Sequence, residues 1–123
     1  LVSIFACGVM VYEALVASVM SAKEGIKAAV INCHTIKPLD ESTIISGARK
    51  TGAVVTAEEH QVNGGLGGAI AELLGKKCHV PLEIVGVPDS FGESGEPEEL
   101  LKKYKCTRDD IVLAVKRVIK RKR

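Results

Sequence analysis

Short apolar runs alternate along the chain with longer segments in which apolar residues recur at helical spacing. Four of the runs have strand length and are rich in β-branched residues, which predicts β-strands. These runs are Val2 to Ala6, Lys27 to Cys33, Ala53 to Ala57 and Leu82 to Val87.

Amphipathic helices are predicted between the strands. Residues Val9 to Glu24 form the first, and the segment from Asp40 to Thr51 forms the second, with an aspartate as its N-cap and Gly52 as its stop. The first helix carries an apolar row at Val11, Leu15, Val19 and Ala22.

The second half of the chain repeats the alternation. After a predicted loop from Glu58 to Asn63, a glycine cluster opens a third helix, and Pro97 lies near the start of a fourth. Thr107, with Asp110 three residues later, resembles a capping box for the last helix. The predicted buried stripe of that helix is Ile111, Val112, Val115, Val118 and Ile119.

This alternation implies right-handed crossovers and a parallel sheet covered by helices on both faces. We therefore predict one α/β domain, residues 1–123, with three α/β/α layers, a mainly parallel sheet and the strand order 2-1-3-4. In that order the crevice where the chain changes direction lies between Cys7 to Val9 and Glu58 to His60.

Composition and charge exclude several classes of function. A net charge of +2 and an aromatic content of 3% offer little basis for binding nucleic acid. The segment Leu1 to Met20 is almost continuously apolar, but Glu13 interrupts it and no positive segment precedes it, so we predict no membrane span. Because Leu1 enters strand-like sequence at once, we expect the chain to be a piece of a longer protein.

The cysteines give no sign of a zinc site or a disulfide framework. They are far apart in sequence and form no C-x-x-C pair, which favours a reduced, cytoplasmic protein. His34 and His79 each follow a cysteine, but adjacent strand residues point to opposite faces, so we predict no metal site there. The four cysteines are Cys7, Cys33, Cys78 and Cys106.

The glycine cluster occupies the place of a dinucleotide fingerprint, where N–H groups at a helix start hold a pyrophosphate. Counted from Gly65, the third glycine position of G-x-G-x-x-G falls on Ile70, and Glu58 and Glu59 would repel a phosphate. We therefore predict that the glycines permit a tight turn and close contact of the helix with the sheet or with a neighbouring domain.

Glu58, Glu59 and His60 end the third strand, at the edge where open α/β sheets bind ligands. No nucleophile with a matching base accompanies them. We favour an architectural alternative, in which one glutamate accepts N–H bonds from a helix start and His60 is a surface or interface residue. We predict no catalytic and no metal-binding residue, and candidate crevice or docking residues at Cys7, Gly8, Glu58, Glu59, His60, Gly64, Gly65 and Gly67.

Four strings carry a family resemblance: TIKPLD from Thr35, TGAVVTAEEH from Thr51, GGLG from Gly64 and FGESG from Phe91. In this order and spacing they resemble the transketolase C-terminal domain, and the combination of NCHTIKP with EEH looks most like transketolases whose halves are separate subunits. Ser90 stands where the family pattern often has arginine, which weakens an anion site in that loop. The family domain also begins with an additional edge strand ahead of the position of Leu1.

The resemblance implies a transferase that moves a two-carbon ketol unit between sugar phosphates. It implies that thiamine diphosphate and Mg are held by pyrimidine-binding and diphosphate-binding domains or a subunit, that this chain binds no cofactor and is inactive alone, and that the parent enzyme is a homodimer. The role implied here is architectural.

Two alternatives stay open. One is the equivalent domain of 1-deoxyxylulose-5-phosphate synthase or of the 2-oxoacid dehydrogenase beta subunit. The other is an independent flavodoxin-like domain that binds a nucleotide or a flavin, against which the failed fingerprint and the acidic loop argue.

Overall fold

The computed structural model describes residues 1–8, 10–33, 40–61, 65–87 and 107–122, without the side chains of residues 59–61 and 87. Strands and helices alternate along the described chain. In order they are β1 (Val2–Ala6), α1 (Met10–Ala22), β2 (Ala28–Asn32), α2 (Glu41–Thr51), β3 (Val54–Gln61), α3 (Leu66–Lys77), β4 (Leu82–Val87) and α4 (Arg108–Lys120). The fourth helix predicted near Pro97 lies outside the described residues.

The four strands form one parallel sheet in the order β2-β1-β3-β4, which confirms the predicted fold class. Helices α1 and α4 cover one face, where β1 contributes Val2, Ile4 and Ala6 to the core. Helices α2 and α3 cover the other face, where β1 contributes Phe5. The period-2 alternation of β1 thus supplies both cores from a strand that is buried throughout.

Local signals in the sequence explain the ends of two helices. At the start of α2, the Asp40 carboxylate accepts a hydrogen bond from the Thr43 N–H at 3.2 Å, and at its end Gly52 adopts φ +76. At the start of α4, the Asp110 carboxylate accepts hydrogen bonds from the N–H and the hydroxyl of Thr107, at 3.0 and 2.8 Å. These positions confirm the predicted N-cap, stop and capping box.

The apolar row predicted for α1 is not its buried face. Leu15 and Val19 are 50% and 58% exposed, Ala22 is exposed, and Val11 is only half-buried. The buried residues of α1 are Met10, Ala14, Ala17 and Ser21. Apart from Met10, these side chains are small. They are buried because α1 packs against α4, and small side chains let two helix axes approach closely.

Strand β3 is longer than its apolar pattern predicts. The sequence indicates a loop from Glu58, whereas the strand continues to Gln61. Its pairing with β4 shifts register between Ala57 and Gln61, so the extension follows an irregularity in the ladder. Backbone pairing with β4 extends β3 beyond Ala57. The local strand propensities of Glu58 and Glu59 do not predict this extension.

Candidate functional site

The crevice at the change of strand order lies between the carboxyl ends of β1 and β3. Helix α1 carries the chain outward from β1 to β2, and α2 carries it back across β1 to β3. The Cys7 N–H donates to the Ala57 carbonyl at 3.2 Å, so the two strands stay paired up to this edge. Gly8 then turns the chain with φ +64, a conformation that favours glycine.

The Glu58 side chain fills this crevice and is fully buried. Its Oε1 accepts a hydrogen bond from the Gly67 N–H at 3.0 Å, and its Oε2 lies 4.0 Å from the Cys7 Sγ, which donates to it. Gly67 is in the first turn of α3, whose N-cap, Gly65, has no side chain to offer. A carboxylate from the neighbouring strand therefore caps the helix start, where the helix dipole favours negative charge.

Gly67 also allows α3 to lie very close to the sheet. A Cβ added at Gly67 would be 2.7 Å from Ile84 Cγ2, closer than a real Cβ approaches, and 3.0 Å from Thr56 Oγ1, tighter than most Cβ contacts. The predicted role of the glycine cluster, close contact of the helix with the sheet, holds for this residue. This contact and the Glu58 cap together fix the start of α3 against β3 and β4.

The structure brings together three of the candidate residues, Cys7, Glu58 and Gly67. Gly8 follows β1 and is exposed, and Gly65 is the buried N-cap of α3. Glu59 and His60 lie within β3. Gly64 lies outside the described residues, as do the Phe91 loop and the Thr35 string.

The described residues do not fit thiamine diphosphate. A diphosphate at the α3 N-terminus would need free N–H donors, whereas the Gly67 N–H is already bonded to a carboxylate that would repel it. Within the described ranges, no group of three or more His, Cys, Asp and Glu side chains could hold a metal ion. The contacts described in this crevice are hydrogen bonds that connect Glu58 of β3 to the start of α3 and to Cys7.

A concavity of about 870 Å³ lies near the opposite, amino ends of β3 and β4. Its walls are mostly apolar, and its polar members include His79 and Arg121. The His79 Nε2 is 2.7 Å from the Gly75 carbonyl, and Arg121 binds Glu83 and the Leu82 carbonyl. Since these polar groups are already engaged within the protein, the concavity does not define a reactive site.

The sequence analysis missed an ion pair that joins α1 to α4. The Glu13 carboxylate accepts from the Arg108 N–H at 2.9 Å, and from its guanidinium Nε and Nη2 at 3.2 and 3.0 Å. These hydrogen bonds lower the pKa of Glu13, although partial burial acts in the opposite direction. The only signal of this ion pair in the sequence was a glutamate interrupting an apolar segment.

None of the helices in the described ranges is long and apolar enough to cross a membrane.

Fold and site define the class of protein. It is a three-layer α/β domain with a parallel sheet of order 2-1-3-4 and a switch-point crevice filled by its own carboxylate. The chain belongs to the family described as transketolase, C-terminal domain, whose model matches residues 1–111.

Among curated relatives, the chain is 52% identical over 121 residues to a 6-deoxy-6-sulfo-D-fructose transketolase subunit from Clostridium sp. (strain MSTE9). It is 42% identical over 113 residues to 1-deoxy-D-xylulose-5-phosphate synthase from Desulforudis audaxviator. The matches cover 98% and 90% of this chain but only 38% and 18% of the respective relatives.

Among solved structures, the chain is similar to a split-gene transketolase described as an inactive beta4 tetramer, with 48% identity and a TM-score of 0.94. The match covers 99% of this chain and 40% of that one. These matches agree with the predicted family and fold.

Proposed function

We propose that this chain is the architectural and assembly domain of a transketolase and is not catalytic alone. The observation that carries the proposal is the state of Glu58: among the described side chains at the switch-point crevice it is the buried carboxylate, and it caps α3. A carboxylate engaged in this way positions an element of the fold. Family membership supplies the class of enzyme.

In the proposed assembly, thiamine diphosphate and Mg are held by pyrimidine-binding and diphosphate-binding domains or a subunit of the parent enzyme. The cofactor supplies the nucleophilic carbon and the electron sink, and this chain supplies position. We propose that the assembled enzyme is a cytoplasmic homodimer.

The surface that docks on those partners is proposed to be the carboxyl edge of the sheet together with the start of α3. Its candidate residues are Cys7, Gly8, Glu58, Glu59, His60, Gly64, Gly65 and Gly67; of those whose burial the structure describes, Gly8 is exposed and Cys7 half-buried, whereas Glu58, Gly65 and Gly67 are buried and support the edge from within. Support comes from Gly65 and Gly67 at the start of α3: Gly65 is buried, and Gly67 leaves no space for a side chain. Glycine at these positions lets the backbone lie close to its surroundings, as the packing of a second domain on this edge would also require.

Reaction products distinguish the two enzyme classes among the relatives. The transketolase subunit is matched at higher identity and over more of the chain than the synthase, which favours ketol transfer. A transketolase passes two carbons from a ketose donor to an aldose, whereas the synthase makes a 1-deoxy sugar phosphate. Because the first relative is named for a sulfonated sugar, donors with a 6-phosphate and with a 6-sulfonate both belong in the assay.

Reconstitution with the catalytic half tests the proposal. Gly65→Leu should impair activity when the chain is limiting, since the side chain would stand at the docking edge; because Gly65 is buried, retention of the fold is verified by far-UV circular dichroism before activities are compared. Gly75→Leu is the matched control, because Gly75 lies in the same helix, is exposed and has no atom within 4 Å of an added Cβ. Equal activity of the two variants, or ketol transfer by the chain alone, would overturn the proposal.

A further inference from the structure

Two cysteines that are 26 positions apart in sequence lie side by side on neighbouring strands. Strands β1 and β2 pair in parallel with Ala6 opposite Asn32. The next hydrogen bond of the ladder, from the Cys33 N–H to the Ala6 carbonyl at 2.8 Å, keeps this register one residue beyond the strands. That bond completes the Ala6–Asn32 pair, and the same register continued by one residue sets Cys7 opposite Cys33.

Both thiols are on the same face of the sheet. Cys7 and Cys33 pack against the core beneath α2 and α3, as do Phe5 and Ile31, the pair two positions earlier in the same register. Both cysteines are half-buried, and Cys78, on the same side of the sheet, is buried. The pair is therefore within reach of a small reagent at the carboxyl edge of the sheet.

The spacing of the strands suits a disulfide. Neighbouring strands lie about 4.8 Å apart, and the Cα atoms of disulfide-bonded cysteines are usually about 4.4–6.8 Å apart. The Cβ atoms must come closer than the strand spacing, to about 3.8 Å. Because Cys7 and Cys33 each follow the last residue of a strand, this approach leaves the register from Val2 to Ala6 intact.

We propose that Cys7 and Cys33 form a dithiol site that low-molecular-weight disulfides oxidise to an intramolecular disulfide. The thiolate of one cysteine attacks a sulfur of the reagent, forming a mixed disulfide and releasing one thiolate. The thiolate of the other cysteine then attacks the protein sulfur of that mixed disulfide and releases the second. Two cysteine thiols lose two electrons and two protons, and the reagent is reduced to two thiols.

The surroundings of the cysteine pair slow its oxidation and connect the pair to the start of α3. Burial and the nearby charge of Asp40 raise the pKa of the Cys33 thiol, which keeps it protonated and slow to react at neutral pH. On the other side, the Cys7 Sγ donates to Glu58, the cap of α3. Formation of the disulfide draws the Cys7 sulfur towards β2 and away from that carboxylate.

The site is tested by incubating the chain with mixtures of reduced and oxidised glutathione, quenching in acid, and alkylating under denaturing conditions. With excess oxidised glutathione we expect two alkylated cysteines instead of four, and a mass lower by two hydrogens before alkylation. Each cysteine falls in a different tryptic peptide, so the expected link joins residues 1–23 to residues 28–49. This readout uses the unmodified chain and does not depend on whether a variant folds.

Variants make the assignment specific. Cys7→Ser and Cys33→Ser should each lose the linked peptide and stop at a glutathione adduct on the remaining partner. Cys78→Ala, which alters the same side of the sheet, should form the link as readily as the parent chain. Four alkylated cysteines at every glutathione ratio, a link that includes Cys78 or Cys106, or a covalent dimer in place of the internal link would overturn the proposal.

Discussion

Replacing Gly67 with alanine should destabilise the chain, although alanine is the better helix former. The new Cβ would lie 2.7 Å from Ile84 Cγ2 and 3.0 Å from Thr56 Oγ1. Neither atom is the far end of a flexible side chain, because both branch from the Cβ of a strand residue. Thr56 is moreover fully buried. Relief therefore requires α3 to move away from the sheet, which would also lengthen the bond from the Gly67 N–H to Glu58.

The magnitude follows from two opposing effects. Glycine to alanine within a helix gains up to about 1 kcal/mol from backbone entropy and propensity, whereas overpacking of a close contact costs about 1–3 kcal/mol. Gly75→Ala in the same helix meets no atom within 4 Å and should show the gain alone. The difference between the two variants therefore isolates the packing cost, about 1–3 kcal/mol, or roughly 3–15 °C in Tm for a chain of this size.

Urea unfolding followed by far-UV circular dichroism measures both variants against the parent chain, with the change in midpoint at constant slope reporting the change in stability. Gly67→Ala should cost less in an Ile84→Ala background than in the parent chain, because Ile84→Ala removes the nearest contact atom. A Gly67→Ala chain as stable as Gly75→Ala would refute the close approach of α3 to β3 and β4.

Glu13, Asp110, the cofactor and His60 each give one further test. Folding lowers the pKa of Glu13, so the parent chain should have a higher free energy of unfolding than Arg108→Met above the unfolded pKa, near pH 4.3. This difference should shrink as the pH falls through the lowered pKa. A difference that does not change with pH contradicts the prediction. Asp110→Ala should lose about 1 kcal/mol in urea unfolding and its exposed neighbour Asp109→Ala clearly less, since only Asp110 bonds to Thr107. Calorimetry of the chain with thiamine diphosphate and magnesium should show no saturable heat, and a micromolar Kd, about 8 kcal/mol, would refute the proposed division of labour. In the reconstituted enzyme His60→Ala should keep turnover within about tenfold once assembly is saturated, since loss of a catalytic acid or base costs about a hundredfold or more.

The parts of the fold that the sequence predicts are those set by short-range chemistry. The Asp40 cap, the Gly52 stop and the Thr107–Asp110 box each depend on residues within one or two turns of each other. The strand order also follows, because right-handed crossovers restrict the topologies open to alternating strands and helices. No such local rule selects the buried face of α1, which carries apolar residues on more than one side and packs its small residues on α4.

The joints between elements depend on partners distant in sequence. Glu13 and Arg108 are 95 positions apart, and the sequence presents the first only as an interruption in an apolar run. Cys7 and Cys33 are far apart along the chain and become neighbours through the pairing of β1 with β2. Residue types could be identified beforehand, but which of them meet was fixed by the packing of α1 on α4 and by the register of the sheet.

The crevice shows why its position in the fold does not determine its chemistry. In open parallel sheets the switch point binds ligands because strands end there and helix starts present N–H donors. Here the chain places a carboxylate on the strand at the point where a ligand anion would lie, and the nearest helix start bonds to it. A carboxylate in that place supplies the helix start with a hydrogen-bond acceptor where a bound phosphate would otherwise lie. Its bond to the Gly67 N–H ties the start of α3 to β3. The proposed architectural role and the absence of a fit for the diphosphate among the described residues therefore rest on one physical cause, the engagement of Glu58 with the start of α3.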